Sequence, residues 1–127
     1  MKEVMAIVRQ NKVNATKASL ADAGFPAFTC RKVLGRGKKS IDLSVLESIM
    51  ESGMLSISPT GESITEATRL IPKRVFTIVV DDRDVDKVVS TIIETNSTGH
   101  PGDGKIFVLA LNESYVVRSG EKDADAY

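Results

Sequence analysis

The chain has 127 residues, 42% of them hydrophobic and 27% charged, with Lys+Arg and Asp+Glu equal at 17 each. That is one domain with enough apolar content for a real core, and it excludes wholesale disorder. Zero net charge argues against a general nucleic-acid binder. The single cysteine, Cys30, excludes an internal disulfide framework and a multi-thiolate metal site. No signal-peptide pattern is seen at residues 1–10 and no apolar run suits a membrane-spanning helix, so a cytoplasmic location is expected.

In chain order, residues 2–8 read as a strand that is apolar on both faces, hence central: Val4, Ala6 and Val8 on one side, Met5 and Ile7 on the other. Asn14 is an expected helix cap, followed by a helix over 15–23 that Gly24 closes in a left-handed conformation. Residues 27–34 are a second strand in which Cys30 acts as a small packed hydrophobe. Residues 74–80 (RVFTIVV) are the clearest strand, being β-branched and compact. Asp81 or Asp82 is the expected cap of the next helix. Its stripe of Val85, Val88, Val89, Ile92 and Ile93 has the spacing of a helix laid on a sheet. It stops near Asn96. The glycine-rich turn 98–104 leads into a strand over 105–111. Residues 115–118 suggest a short edge strand, and the charged tail 119–127 is expected to be mobile.

Strand–helix–strand occurs twice, which predicts a ferredoxin-like α+β sandwich with both helices on one sheet face. Ile7, Phe76, Ile78 and Phe107 are the candidates for the uncovered face. Nothing else in the chain would cover them, which favours an oligomer. Residues 36–71 form a connection far longer than the usual handful. Within it Ile41, Val45, Leu46, Ile49 and Met50 have near-helical spacing, with Asp42 or Ser44 as cap and Gly53 as stop. That helix either folds back on its own domain or is an arm that orders on a partner. Residues 56–68 read as flexible.

Two glycine-basic clusters stand out. Gly99, Gly102 and Gly104 crowd one turn with Asp103 between them and Lys105 just after. Glycine amides can converge on an anion, and a lysine adds charge to phosphate oxygens. The turn ends a helix and opens a strand, so it is not a P-loop. A tight turn that merely needs positive φ is the plainer alternative. Gly35, Arg36, Gly37, Lys38 and Lys39 form the second cluster, at the end of the second strand and expected on the same sheet edge as the first. Arg118 is a third basic group able to reach a neighbouring subunit, so that Lys38, Lys105 and Arg118 would hold a polyphosphate. Catalytic candidates are poor: His100 is the only histidine and lies on a loop, and no carboxylate pair or nucleophile elbow is found.

The run TGHPGDGKIFV over residues 98–108 resembles the Thr-Gly-x-x-Gly-Asp-Gly-Lys-Ile-Phe-Val motif of the PII nitrogen-regulatory signalling proteins. The likeness extends to MKEVMAIV at the start and to Gly35-Arg36-Gly37 at the root of that family's T-loop. It extends also to Ile71-Pro72-Lys73 at the T-loop's return and Arg118-Ser119-Gly120-Glu121 in its C-terminal loop. Residues 38–70 do not match. The resemblance implies a single domain over 1–127 and a trimer with ATP or ADP in clefts between neighbours. It also implies 2-oxoglutarate sensing at the T-loop base and docking of the T-loop onto regulated targets. By matching position, Thr29 and Val79 would lie on the base side, and Gly35, Gly37, Lys38, Gly102, Asp103, Gly104 and Lys105 would hold phosphates. Arg118 would come from the next subunit, and Lys73 and Lys39 would meet 2-oxoglutarate.

The departures are specific. Lys38 replaces an arginine and loses its bidentate fork. Lys39 replaces the glutamine that helps ligate Mg²⁺ and 2-oxoglutarate, and a cation does not ligate Mg²⁺. Val116-Val117-Arg118 replaces Arg-x-Arg. Tyr115 and Tyr127 are the only tyrosines, so the T-loop tyrosine that is uridylylated in many members is absent. A long tyrosine-free T-loop resembles the archaeal nitrogen-fixation subgroup, whose paired subunits inhibit dinitrogenase until 2-oxoglutarate relieves them. The resemblance implies the longer-loop partner, alone as a homotrimer or mixed with its sister subunit. Two other classes stand beside this regulator: a trimeric nucleotide-binding enzyme with slow ATPase activity, and a purely structural trimer.

Overall fold

The computed structural model describes residues 1–37 and 70–125. Lys38, Lys39, the expected helix over 41–50 and the segment 56–68 lie outside the described residues. The chain divides into two compact units, Met1–Val33 with Lys73–Tyr127, and Leu34–Pro72. In the second, the described residues are the end of one strand, the start of another, and the three residues Arg36, Gly37 and Leu70.

The first unit carries strand β1 (Lys2–Arg9), helix α1 (Val13–Asp22) and strand β2 (Thr29–Gly35, its last two residues in the other unit). Strand β3 (Ile71–Val80), helix α2 (Val85–Asn96) and strand β4 (Lys105–Ala110) repeat the plan. The sheet order is β2-β3-β1-β4, with β1 antiparallel to both β3 and β4. This is the ferredoxin-like order. β1 is central, as its two apolar faces require.

Register decides which side chains form the core. Val4 faces Ile78 and Ala6 faces Phe76 across β1 and β3. These four pack with Val8, Leu20, Val88 and Ile92 in one fully buried cluster, against which Cys30 and Ile106 rest. Phe76 and Ile78 are therefore helix-side core residues, not members of the uncovered face expected of them. That face carries Met5, Ile7, Val75, Thr77, Val79, Phe107 and Leu109, one residue out of phase. A run that is apolar or β-branched at nearly every position fits either phase, and only pairing selects one.

The helices also differ in detail from expectation. A short 3₁₀ turn, Gln10–Lys12, precedes α1, so Asn14 lies inside the helix and makes no cap. The C-terminus behaves as expected. Gly24 has φ +96°, its N–H donates to Ala21 O (3.0 Å), and the Phe25 N–H donates to Leu20 O (2.8 Å). This paired closure satisfies carbonyls that the helix end orphans. Before α2, Asp82 opens a 3₁₀ turn and accepts from the N-terminal amine (2.7 Å), so neither aspartate side chain caps the helix. In α2, Ile93 of the expected stripe is exposed, whereas Asn96 is buried. Asn96 Nδ2 donates to Thr16 Oγ1 (3.1 Å) and to Ile92 O (2.9 Å), a polar link between the helices inside the core.

The C-terminal segment corrects the edge strand expected over 115–118. Strand β5 (Ser114–Tyr115) pairs antiparallel with strand β6 (Lys122–Asp123) in a separate hairpin. Its loop is closed by bonds from Val116 N to Glu121 O (2.8 Å) and from Gly120 N to Val116 O (2.7 Å).

Candidate functional site

The turn joining α2 to β4 is built around one carboxylate. Asp103 Oδ2 accepts from the amides of Thr98 (2.8 Å) and Gly99 (3.1 Å), and Oδ1 accepts from the Thr98 hydroxyl. Arg9, the last residue of β1, donates through Nη1 to Asp103 and through Nη2 to Pro101 O (3.0 Å). From β3, Lys73 Nζ donates to Gly102 O (2.6 Å). Arg9 and Lys73 are cross-strand partners, so one end of the sheet delivers both cations to the turn.

The bonds from the Thr98 hydroxyl and amide, and then from Arg9, hold the Asp103 carboxyl well below the usual carboxylate range. Partial burial lowers the Lys73 amine's pKa. Arg9 lowers it further, while Asp103 opposes both.

The glycines answer to two constraints. Gly99, Gly102 and Gly104 all have positive φ. At Gly104 a Cβ would also stand 1.9 Å from the Ile7 carbonyl oxygen, because the chain re-enters the sheet against the backbone of β1. Lys105 then opens β4 opposite Ile7, with its ammonium 5.4 Å from the Phe107 ring centroid on the uncovered face. Beside the turn, a groove of about 430 Å³ runs between α2 and β4, lined by Val89, Ile93 and Val108 as well as by Gly104 and Lys105.

Of the residues singled out from sequence, the structure gathers Lys73, Gly102, Asp103, Gly104 and Lys105. Val79 stands opposite Glu3, four residues along β1 from Ile7, which is about 13 Å toward the other end of the sheet. There it lines a smaller recess with Phe25 and Pro26. Thr29 opens β2 and is exposed. β2 and β4 are opposite edge strands, which corrects the expectation that they share an edge. Gly35 ends β2 and Gly37 follows two residues on. Arg118 is exposed in the β5–β6 loop. Among the described residues no group of three or more His, Cys, Asp or Glu could hold a metal.

Arg9 is the residue that sequence reasoning missed. The β1–β4 ladder, continued past Ile7–Lys105, sets Arg9 opposite Asp103. The opposite charges at 9 and 103 are a usable signal only once that register is known.

The chain matches the family described as Nitrogen regulatory protein P-II over residues 1–121 and belongs to it. It is 45% identical over 122 residues to a Nitrogen fixation nifHD region GlnB-like protein 2 from Methanothermococcus thermolithotrophicus, covering 95% of this chain and 94% of that one. The GlnB-like protein 1 of the same organism is 40% identical over 121 residues, covering 95% and 97%. A GlnB-like protein 2 from Methanothermobacter marburgensis is 38% identical over 126 residues, covering 99% of each.

Proposed function

We propose that this P-II family chain is a non-enzymatic, cytoplasmic signalling subunit that binds ATP or ADP and 2-oxoglutarate and regulates nitrogen fixation by docking its long loop onto a target, dinitrogenase being the favoured one. The observation that carries the reading is the braced turn 98–104. Its carboxylate is neutralised internally, its glycines leave the backbone approachable, and it ends on the exposed Lys105. Such a turn suits a polyanion. Lys73, at the same end of the sheet, offers a second cation for a dicarboxylate.

A trimer, of this chain alone or mixed with a sister subunit, accounts for two further features. Edge strand β4 leaves Phe107, Val108 and Leu109 40%, 47% and 41% exposed, an apolar edge that a lone subunit would not leave uncovered. The base-side candidates Thr29 and Val79 stand away from the turn within one chain, as expected if neighbours complete each cleft. With a lysine at position 39, Mg²⁺ has no ligand there, so 2-oxoglutarate would pair directly with Lys39 and Lys73. Ligand at the loop root would shift which loop conformations are populated, and a few kcal/mol of differential affinity is enough to switch docking.

The test is calorimetry with ATP, ADP and 2-oxoglutarate on the wild type and on Lys105→Ala, together with capture of dinitrogenase with and without 2-oxoglutarate. Lys105→Ala should weaken nucleotide binding without unfolding the protein, and deleting residues 41–68 should abolish capture while nucleotide still binds. Steady ATP turnover lost in Lys105→Ala would favour the slow ATPase. Absence of heat with all three ligands would favour a structural trimer.

A further inference from the structure

We infer that Arg9 is a positioning residue for nucleotide: it holds the turn 98–104 in its phosphate-receiving shape and cancels the Asp103 charge, without itself touching the phosphates. The inference rests on the nucleotide-binding reading and extends it to a residue outside the glycine motif.

The two terminal nitrogens of Arg9 are already engaged. Nη1 donates to Asp103 and, at 3.4 Å, to the Thr98 hydroxyl, and Nη2 donates to Pro101 O at 3.0 Å. These acceptors span the turn from its first residue to the one before Gly104, so one planar group ties the turn to the end of β1. The fork geometry suits this task, and an ammonium at the same place would reach fewer of the acceptors. Packing supports the placement, since Arg9 and Asp103 side chains are each only 25% exposed and a Cβ on Gly102 would stand 3.3 Å from Arg9 Nη2.

Two physical consequences follow for an incoming polyphosphate. Three positive-φ glycines make this segment costly to order, and with Arg9 in place the ordering is complete before ligand arrives. Asp103 carries a full negative charge beside Lys105, which would repel phosphate if left uncompensated. Arg9 removes that repulsion while leaving the Lys105 ammonium free for the ligand.

The experiment compares the full-length wild type with Arg9→Met and Arg9→Lys by ATP calorimetry and by amide hydrogen exchange over residues 98–104. Arg9→Met should bind ATP about tenfold more weakly or worse, the scale of one lost charge-assisted hydrogen bond, and its turn amides should exchange faster. Arg9→Lys keeps the charge without the fork and should fall between the two in both readouts. ATP affinity of Arg9→Met within about twofold of wild type would overturn the inference. So would weaker binding with unchanged exchange, since Arg9 would then be a direct phosphate ligand. If Arg9→Met does not fold, Arg9→Lys decides by the same two readouts. A wild type that binds no ATP would sink the proposed function, and turn exchange unchanged in both variants would separately sink the positioning role.

Discussion

Gly99 and Gly104 lie in the same turn and look alike in sequence, yet replacing each by alanine should have very different consequences. Gly104 has φ +120°, outside the small left-handed region that other residues can enter. That backbone strain alone costs about 1–3 kcal/mol. Its new Cβ would also lie 1.9 Å from the Ile7 carbonyl oxygen. The obstacle is backbone, so no rotamer change relieves it, and β4 must shift away from β1 where Lys105 pairs with Ile7. Losing two ladder hydrogen bonds there adds about 2 kcal/mol, for a total of roughly 3–5 kcal/mol. At the specific unfolding entropy of a chain this size, that lowers Tm by roughly 10–20 °C. Gly99 has φ +79° with open space around it, so alanine there costs only about 1–2 kcal/mol, or roughly 4–8 °C. Thermal and urea unfolding of both variants at one matched protein concentration measures the difference. Gly104→Ala within about 1 kcal/mol of Gly99→Ala would refute the close-approach argument.

Other expectations follow from the same structure. Phe76→Ala should cost about 3–5 kcal/mol, read as a lower urea midpoint at unchanged slope, because Phe76 is fully buried on the helix side. Asn96→Ala should cost about 1–3 kcal/mol by breaking the buried link to Thr16, whereas Asn14→Ala, on an exposed helical residue that caps nothing, should stay within about 0.5 kcal/mol of wild type. The depressed Asp103 pKa sets a sign for pH dependence. Its contribution is complete above the ordinary carboxylate value and is lost as pH falls through the lower folded value. The stability gap between wild type and Asp103→Asn should therefore be flat from neutral pH to about pH 5 and shrink in acid, and a gap that widens in acid would contradict the bonding described.

The motif in residues 98–108 and the doubled strand–helix–strand order identify the family and the fold from sequence, because both are local patterns. The central place of β1 was legible for the same reason, being written in its two apolar faces. Which face of β3 enters the core was not legible: its residues are apolar or β-branched at nearly every step, and pairing with β1, a nonlocal property, makes Phe76 and Ile78 core residues. The same holds for the site. Glycines, Asp103 and Lys105 announce themselves by spacing, but Arg9 is distant in sequence and joins them only because antiparallel register carries the end of β1 to the turn. The sequence by itself determined the kind of turn and the chemistry of its residues, since backbone freedom and charge belong to residue types. Only the tertiary structure decided that Asp103 spends its charge internally and that Gly104 must lie against β1, because both depend on which chain segments are packed together.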